Sequence, residues 1–183
     1  MAQMSPRKSN REREWAAALE AQFIAAYDEH ADALFRHVLM RVRDRERAKD
    51  IVQEAFSRTW VYLSKGKQIE HIKAFLFRVA HNLIVDLARK KKSSSLDTLI
   101  EEENLTVIDE NTPDPTERQA VREALKFLSE LDEIYRVAIT MRYFDEMSPK
   151  EIALALGVSE NVVSVRIHRG IERLQARFTQ ESL

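Results

Sequence analysis

Ser148 to Leu174 constrains this chain more than any other stretch, because it reads as two helices joined by a tight turn. Ser148 can N-cap the first helix, and Glu151 completes a Ser-x-x-Glu capping box. Pro149 suits the first helical position, where its missing N–H has no intrahelical partner to lose. Gly157 supplies the left-handed residue that ends such a helix, and Ser159 can cap the next one after a short turn. Ala153, Gly157 and Val163 fall where a helix-turn-helix needs a small residue, a turn glycine and a buried aliphatic.

The second of these helices has two unlike faces. At about 100° per residue, Val163, Ile167, Gly170, Ile171, Leu174 and Phe178 share one side, which must be buried. Asn161, Ser164, Val165, His168, Arg169 and Glu172 lie roughly opposite, and Arg166, Arg173 and Arg177 form a stripe along one flank. Polar readers flanked by arginines suit a helix in the major groove of DNA, with side chains for base edges and cations for phosphates. An ordinary surface helix with solvated charges is the competing reading.

Composition favours helices elsewhere too. Three glycines and four prolines among 183 residues are too few for a turn-rich β fold, and Leu, Ala, Glu, Arg and Lys are abundant. With no cysteine there are no disulfides, thiolate metal sites or cysteine nucleophiles. No apolar run approaches the roughly 18 residues of a membrane span, and the N-terminus lacks the apolar core of a signal peptide, so a cytoplasmic protein without membrane insertion is expected. His30, His37, His71, His81 and His168 form no metal-ligand spacing, and there is no glycine-rich phosphate loop or Gly-x-Ser-x-Gly. No enzyme, metal or cofactor is expected.

The net charge of -1 hides a segregated distribution. Residues 1–19 carry a net +2, residues 20–92 a net +5, residues 93–118 a net -7 and residues 119–183 a net -1. Local potential, more than the total, decides whether a surface attracts nucleic acid. Helical spacing runs from about Trp15 to Val42, through Leu19, Phe23, Tyr27, Ala31, Leu34, Phe35 and Val38. Further helices are expected over about Glu46–Leu63 and Ile72–Lys91. Three successive serines from Ser93, the acidic run from Glu101, and Pro113 with Pro115 mark a linker. Spacing returns from Arg118, with Val121, Ala124, Leu125, Leu128, Leu131, Ile134, Val137, Ala138 and Met141. The expected fold is all-α: a tail over 1–18, a helical domain over 19–92, a flexible acidic linker over 93–118, and a second helical domain over 119–183 that contains the helix-turn-helix.

Two faces of the first domain stand out. Ile72, Phe75, Leu76, Val79, Ala80, Leu83, Ile84 and Leu87 form the core stripe of the third helix, and Lys73, Phe77, Arg78, His81, Asn82, Val85, Asp86 and Arg89 the other side. That helix ends in Arg89, Lys90, Lys91 and Lys92. Cations beside an exposed aromatic and an amide suit a partly unpaired strand, where bases stack and phosphates are neutralised. Packing of Phe77 against a neighbouring helix is the alternative. On the second helix Asp50, Gln53, Glu54, Ser57 and Arg58 form an acidic and amide face, opposite Val52, Ala55, Phe56, Thr59 and Leu63, suited to a basic protein surface.

Asp50-Ile-Val-Gln-Glu-Ala-Phe56, followed by Trp60, resembles the most recognisable segment of bacterial RNA polymerase sigma factors. Ala74 to Arg89 looks like their promoter-melting helix, and Met141 to Ser159 with Arg166-Ile-His-Arg169 is similar to their C-terminal promoter-binding domain. Two domains and a short linker resemble the small extracytoplasmic-function group, over roughly residues 20–178.

The resemblance implies that the Asp50, Gln53, Glu54, Ser57 and Arg58 face grips the clamp of core RNA polymerase. The loop over about Val61–His71 and the third helix would read and melt the −10 element, through Phe77, Arg78, His81, Asn82, Arg89, Lys90, Lys91 and Lys92. Asn82 matches a family position that contacts the unpaired strand. The linker would thread toward the polymerase active cleft. The second domain would hold the flap and bind the −35 element through Ser159, Asn161, Ser164, Val165, Arg166, His168, Arg169 and Arg173. An anti-sigma factor is a further implied partner. The chain departs from the family at Ser164, often basic there, at Val165, often small and polar, and in Leu128-Ser-Glu-Leu131, which lacks a common proline. A free-standing helix-turn-helix regulator binding duplex DNA as a dimer is the alternative function.

Overall fold

A computed structural model describes residues 10–94 and 115–181. The expected acidic linker falls mostly on residues 95–114, outside the described residues, as does the first half of the N-terminal tail, residues 1–9. The described residues form seven helices and no strand: α1 (Asn10–Val42), α2 (Arg45–Ser64), α3 (Ile72–Ser94), α4 (Pro115–Glu130), α5 (Glu133–Tyr143), α6 (Pro149–Leu156) and α7 (Glu160–Glu181). The all-α expectation holds. Two boundaries move: α3 runs on to Ser94 and α4 opens at Pro115, so both edges of the expected linker are helical. Pro115 is the first residue of a helix rather than a breaker, because a helix start needs no N–H from it.

Local chemistry sets the turns. Between α1 and α2, Arg43 takes a left-handed conformation (φ 54°), and the Asp44 side chain accepts the Arg47 N–H at 3.0 Å to cap α2. The capping box at α6 is complete: Glu151 accepts from the Ser148 N–H at 2.8 Å, and the Ser148 hydroxyl accepts from the Glu151 N–H. Gly157 closes α6 with φ 66° and ψ 35°. Ser159 then caps α7, accepting the Val162 N–H at 3.3 Å. These contacts build the helix-turn-helix that the sequence implies, with Val163 fully buried behind it.

α1, α2 and α3 pack on one another, and α4 to α7 form a second group. The two groups share one apolar core. Leu34, Val38, Phe56, Leu76 and Phe77 belong to the same buried cluster as Met141, Met147, Ile152 and Val163. α3 lies along α6, and this contact joins the halves of the chain. α1 is 33 residues, about 50 Å long at 1.5 Å per residue, whereas α2 has 20. Its first turns outrun their partners, so Trp15, expected on the buried stripe, is 49% exposed. Ile134 was likewise expected inside but is exposed, because the break at Leu131 and Asp132 resets the helical phase between α4 and α5.

Gly170 lies where α7 comes close to α5. A Cβ there would stand 2.5 Å from Ile139 Cδ1 and 3.2 Å from Tyr135 Cβ. The Ile139 methyl can swing aside, but the Tyr135 Cβ is fixed to its backbone. Gly170→Val, with two further carbons at this contact, is expected to destabilise the second domain by about 1–3 kcal/mol. Chemical denaturation measures it, and a variant as stable as the parent contradicts the close packing.

Candidate nucleic-acid interface

α7 is anchored by its apolar side and free on the other. Val163 and Gly170 are buried and Ile167, Ile171 and Leu174 half-buried, whereas Phe178 stays 44% exposed while its ring meets Phe127 at 4.5 Å. Ser159, Asn161, Ser164, Val165, His168 and Arg169 are all exposed. The Ser164 hydroxyl donates to the Glu160 carbonyl at 3.0 Å, and His168 Nε2 stands 3.3 Å from a Glu172 carboxylate oxygen. Arg173 has an internal task. It pairs with Asp132 at the start of α5 and lies over the Tyr135 ring at 4.5 Å, tying α7 to α5. Arg177 reaches Glu130 at 3.6 Å.

α3 differs from its expected picture along one line, Lys73, Phe77 and His81, all expected on its open side. Phe77 was placed on the open basic side, but it is fully buried, with its ring 5.0 Å from the imidazole of His37. The neighbouring turns explain this. Lys73, Phe77 and His81 recur every four residues, so they form one line down the helix. Lys73 Nζ donates to the Asp145 carbonyl between α5 and α6, and His81 Nδ1 accepts from Arg41, which in turn pairs with Glu133 of α5. That line therefore faces the second domain. Arg78, Asn82, Arg89 and Lys90 remain exposed. Lys91 and Lys92 belong to α3, but their side chains lie outside the described ones.

Arg41 always donates, so the Nδ1 of His81 must accept and its ring proton sits on Nε2. Burial first, then the Arg41 charge, holds the His81 pKa down to about 4. His30 is lowered as well, again mainly by burial. The His81 ring therefore stays neutral in the fold down to about pH 4 and burial disfavours the charged form of His30 as well, while the unfolded chain takes up protons near pH 6.5. Stability is expected to fall as pH drops from about 6.5 toward about 4. Thermal melting across that window measures the fall, and a melting temperature that rises on acidification contradicts it.

The α2 ridge is laid out as the spacing implies. Asp50, Gln53, Glu54, Ser57 and Arg58 are all exposed, with Arg58 on Glu54 at 2.7 Å, while Ala48, Ile51, Ala55, Phe56, Thr59 and Leu63 are buried. Beside the ridge runs an open apolar groove of about 980 Å³ between α1 and α2, lined by Phe23, Ile24, Tyr27, Phe56 and Trp60 among others. Sequence reasoning passed over Ile24, and Tyr27 was expected inside, yet both are about half exposed here.

It also missed His37, Arg41, Lys73 and Asp145 as joining residues. The four-residue step from His37 to Arg41, in phase with buried Leu34 and Val38, is a signal for those two alone, and nothing in the spacing points to Lys73 or Asp145. No group of described residues has the makings of a metal site, and no described helix is long and apolar enough to cross a membrane.

Two family models match the halves of the chain: Sigma-70 region 2 over residues 26–94 and Sigma-70, region 4 over residues 121–174. These define a promoter-recognition subunit of the sigma-70 type. The ECF RNA polymerase sigma factor SigL of Mycobacterium tuberculosis is 32% identical over 92% of this chain and 94% of its own length. The ECF sigma factor SigW of Bacillus subtilis is 30% identical over 85% and 88%. This chain belongs to the extracytoplasmic-function (ECF) sigma factors of RNA polymerase, which direct promoter-specific initiation of transcription. Sigma factors act as initiation factors and not as enzymes. The fold agrees with CnrH solved with the cytosolic domain of CnrY, at a TM-score of 0.65 and 23% identity over 92% of this chain and 97% of that one. It agrees also with RpoE of Bartonella quintana solved with NepR, at 0.63 and 18% over 88% and 97%.

Proposed function

We propose that three surfaces divide the work of initiation. Residues 19–92 form the part that binds core polymerase and the −10 element, residues 119–183 the part that binds the −35 element and the flap, and residues 93–118 thread between them toward the active cleft, with residues 1–18 a tail outside both. The exposed α2 ridge of Asp50, Gln53, Glu54, Ser57 and Arg58 docks on the polymerase clamp. Arg78, Asn82, Arg89, Lys90, Lys91 and Lys92 meet the −10 strands, and Phe77 and His81 join them only once the domains have parted. Ser159, Asn161, Ser164, Val165, His168 and Arg169 face the −35 groove, with Arg166 on the phosphate flank. Arg173 acts there through its hold on α5 as well as its charge. CnrH was solved with the cytosolic domain of CnrY and RpoE with the anti-sigma factor NepR. By the same likeness an anti-sigma factor holds this chain in the cytoplasm, where the polymerase is.

The observation that carries this reading is the free outer face of α7, exposed from Ser159 to Arg169 directly opposite buried Val163. Its side chains can enter a groove without disturbing the core. Arg169 can give two hydrogen bonds to a guanine, and Val165 suits a thymine methyl. Substituting Val165 or His168 is expected to change which −35 sequences are used, by roughly 5- to 150-fold for a lost base contact of about 1–3 kcal/mol. Arg173→Ala is expected to weaken all promoters alike. Transcription from a randomised −35 library measures both, and variants that keep the parent's preference at every position remove α7 from the reading role.

A further inference from the structure

The contacts between the domains are built unlike a chance collision. Asp145 is buried in the turn between α5 and α6, and its carboxylate accepts from Nδ1–H of His37 on α1 at 2.7 Å. His37 is itself fully buried, and its Nε2 has no hydrogen-bond partner among the described residues. The Asp145 carbonyl is taken by Lys73 of α3 at 2.5 Å. The turn is fixed in place by its own bonds, Asp145 N–H to the Thr140 carbonyl at 3.1 Å and Met147 N–H to the Met141 carbonyl at 2.9 Å, around a left-handed Glu146 (φ 53°). At the rim Arg41, whose side chain is 7% exposed, bridges His81 of α3 and Glu133 of α5. These hydrogen bonds to the other domain exist only while the domains touch, and removing one partner with the domains closed leaves the other buried and unpaired.

The same closure packs α6 along α3. Leu154 of α6 lines the edge of a small groove with Gln68, His71, Ala74, Phe75 and Arg78, from the loop before α3 and its first turns, while Gln68, Arg78 and Leu154 stay exposed. Phe77, next to Arg78 on α3, is fully buried.

We propose that His37–Asp145, with Lys73 on the Asp145 carbonyl and Arg41 on Glu133, is an intramolecular latch that holds α6 against α3, with Phe77 buried, until the two domains are parted. What is buried matters for transcription only if the −10 assignment above is right, but the latch itself rests on contacts alone. Opening breaks the His37–Asp145 bond and exposes the imidazole and the Phe77 ring together, so the latch and the buried ring switch as one.

The chain has no cysteine, so a pair of dyes can be placed on the full-length protein through Ala25→Cys on α1 and Ala176→Cys on α7, both exposed. Single-molecule energy transfer then reads the distance between domains without polymerase or DNA, so its outcome is independent of the −10 assignment. The parent is expected in one high-transfer population. Asp145→Ala, which strands His37, is expected to shift the closed-to-open ratio by on the order of 100-fold. Glu133→Arg, an exposed change that sets two cations together across the rim, is expected to shift it by about tenfold or more. Circular dichroism on the same samples should show unchanged helicity. If Asp145→Ala does not fold, Glu133→Arg decides. A parent found in a low-transfer state, or folded variants that keep the parent's distribution, overturns the latch.

Discussion

Phe77→Ala is expected to destabilise the protein by about 3–5 kcal/mol, the usual cost of emptying a buried phenylalanine site. For a chain of this length that lowers the melting temperature by roughly 10 °C. The reason is packing. The ring is fully buried, meets the edge of His37, and lies in the cluster shared by α1, α3 and α6. A surface aromatic held ready for DNA would behave otherwise, since exposed substitutions usually stay within about 0.5 kcal/mol. Calorimetry on the full chain separates the two. A variant that melts with the parent would place Phe77 at the surface and undo the closed arrangement of the domains.

Asp50→Arg combined with Glu54→Arg is expected to weaken binding to core polymerase by about 100-fold or more, because on the proposed docking of the α2 ridge charge reversal puts cations where carboxylates would meet the polymerase. Both residues are exposed, and the Glu54–Arg58 ion pair that the change disturbs has side chains about half exposed. Such pairs contribute roughly 0–1 kcal/mol, so melting should barely move. Lost binding with an unchanged fold is the expected pattern in a pull-down paired with a thermal melt. Full binding by the double variant would exclude the α2 ridge from the docking surface.

The parts of the fold that are local in sequence were legible in it. Ser148, Glu151, Gly157 and Ser159 cap and end α6 and α7 through partners within four residues, so the helix-turn-helix could be read from spacing alone. The α2 ridge was legible for a similar reason, because a helix divides its faces at a fixed period whatever it packs against. Contacts between distant residues were not. His37 and Asp145 are 108 positions apart, and nothing in the spacing around either points to the other. Phe77 shows the consequence: at about 100° per residue it sits on the flank of the Leu76, Ala80 and Ile84 stripe, and segments distant in sequence, the His37 ring of α1 among them, complete its burial. Trp15 fails in the opposite sense, since its spacing is right but α1 outruns its neighbours.

Transcription reconstituted from purified parts tests the central claim most directly: core polymerase alone, this chain alone, and the two together, on a library of duplex promoters. An ECF sigma factor with these surfaces gives transcripts from a defined set of start sites only when both are present, with shared −10 and −35 sequences upstream. Start sites no different from those of core polymerase alone, together with tight dimeric binding of the same duplexes by the chain without polymerase, would contradict it.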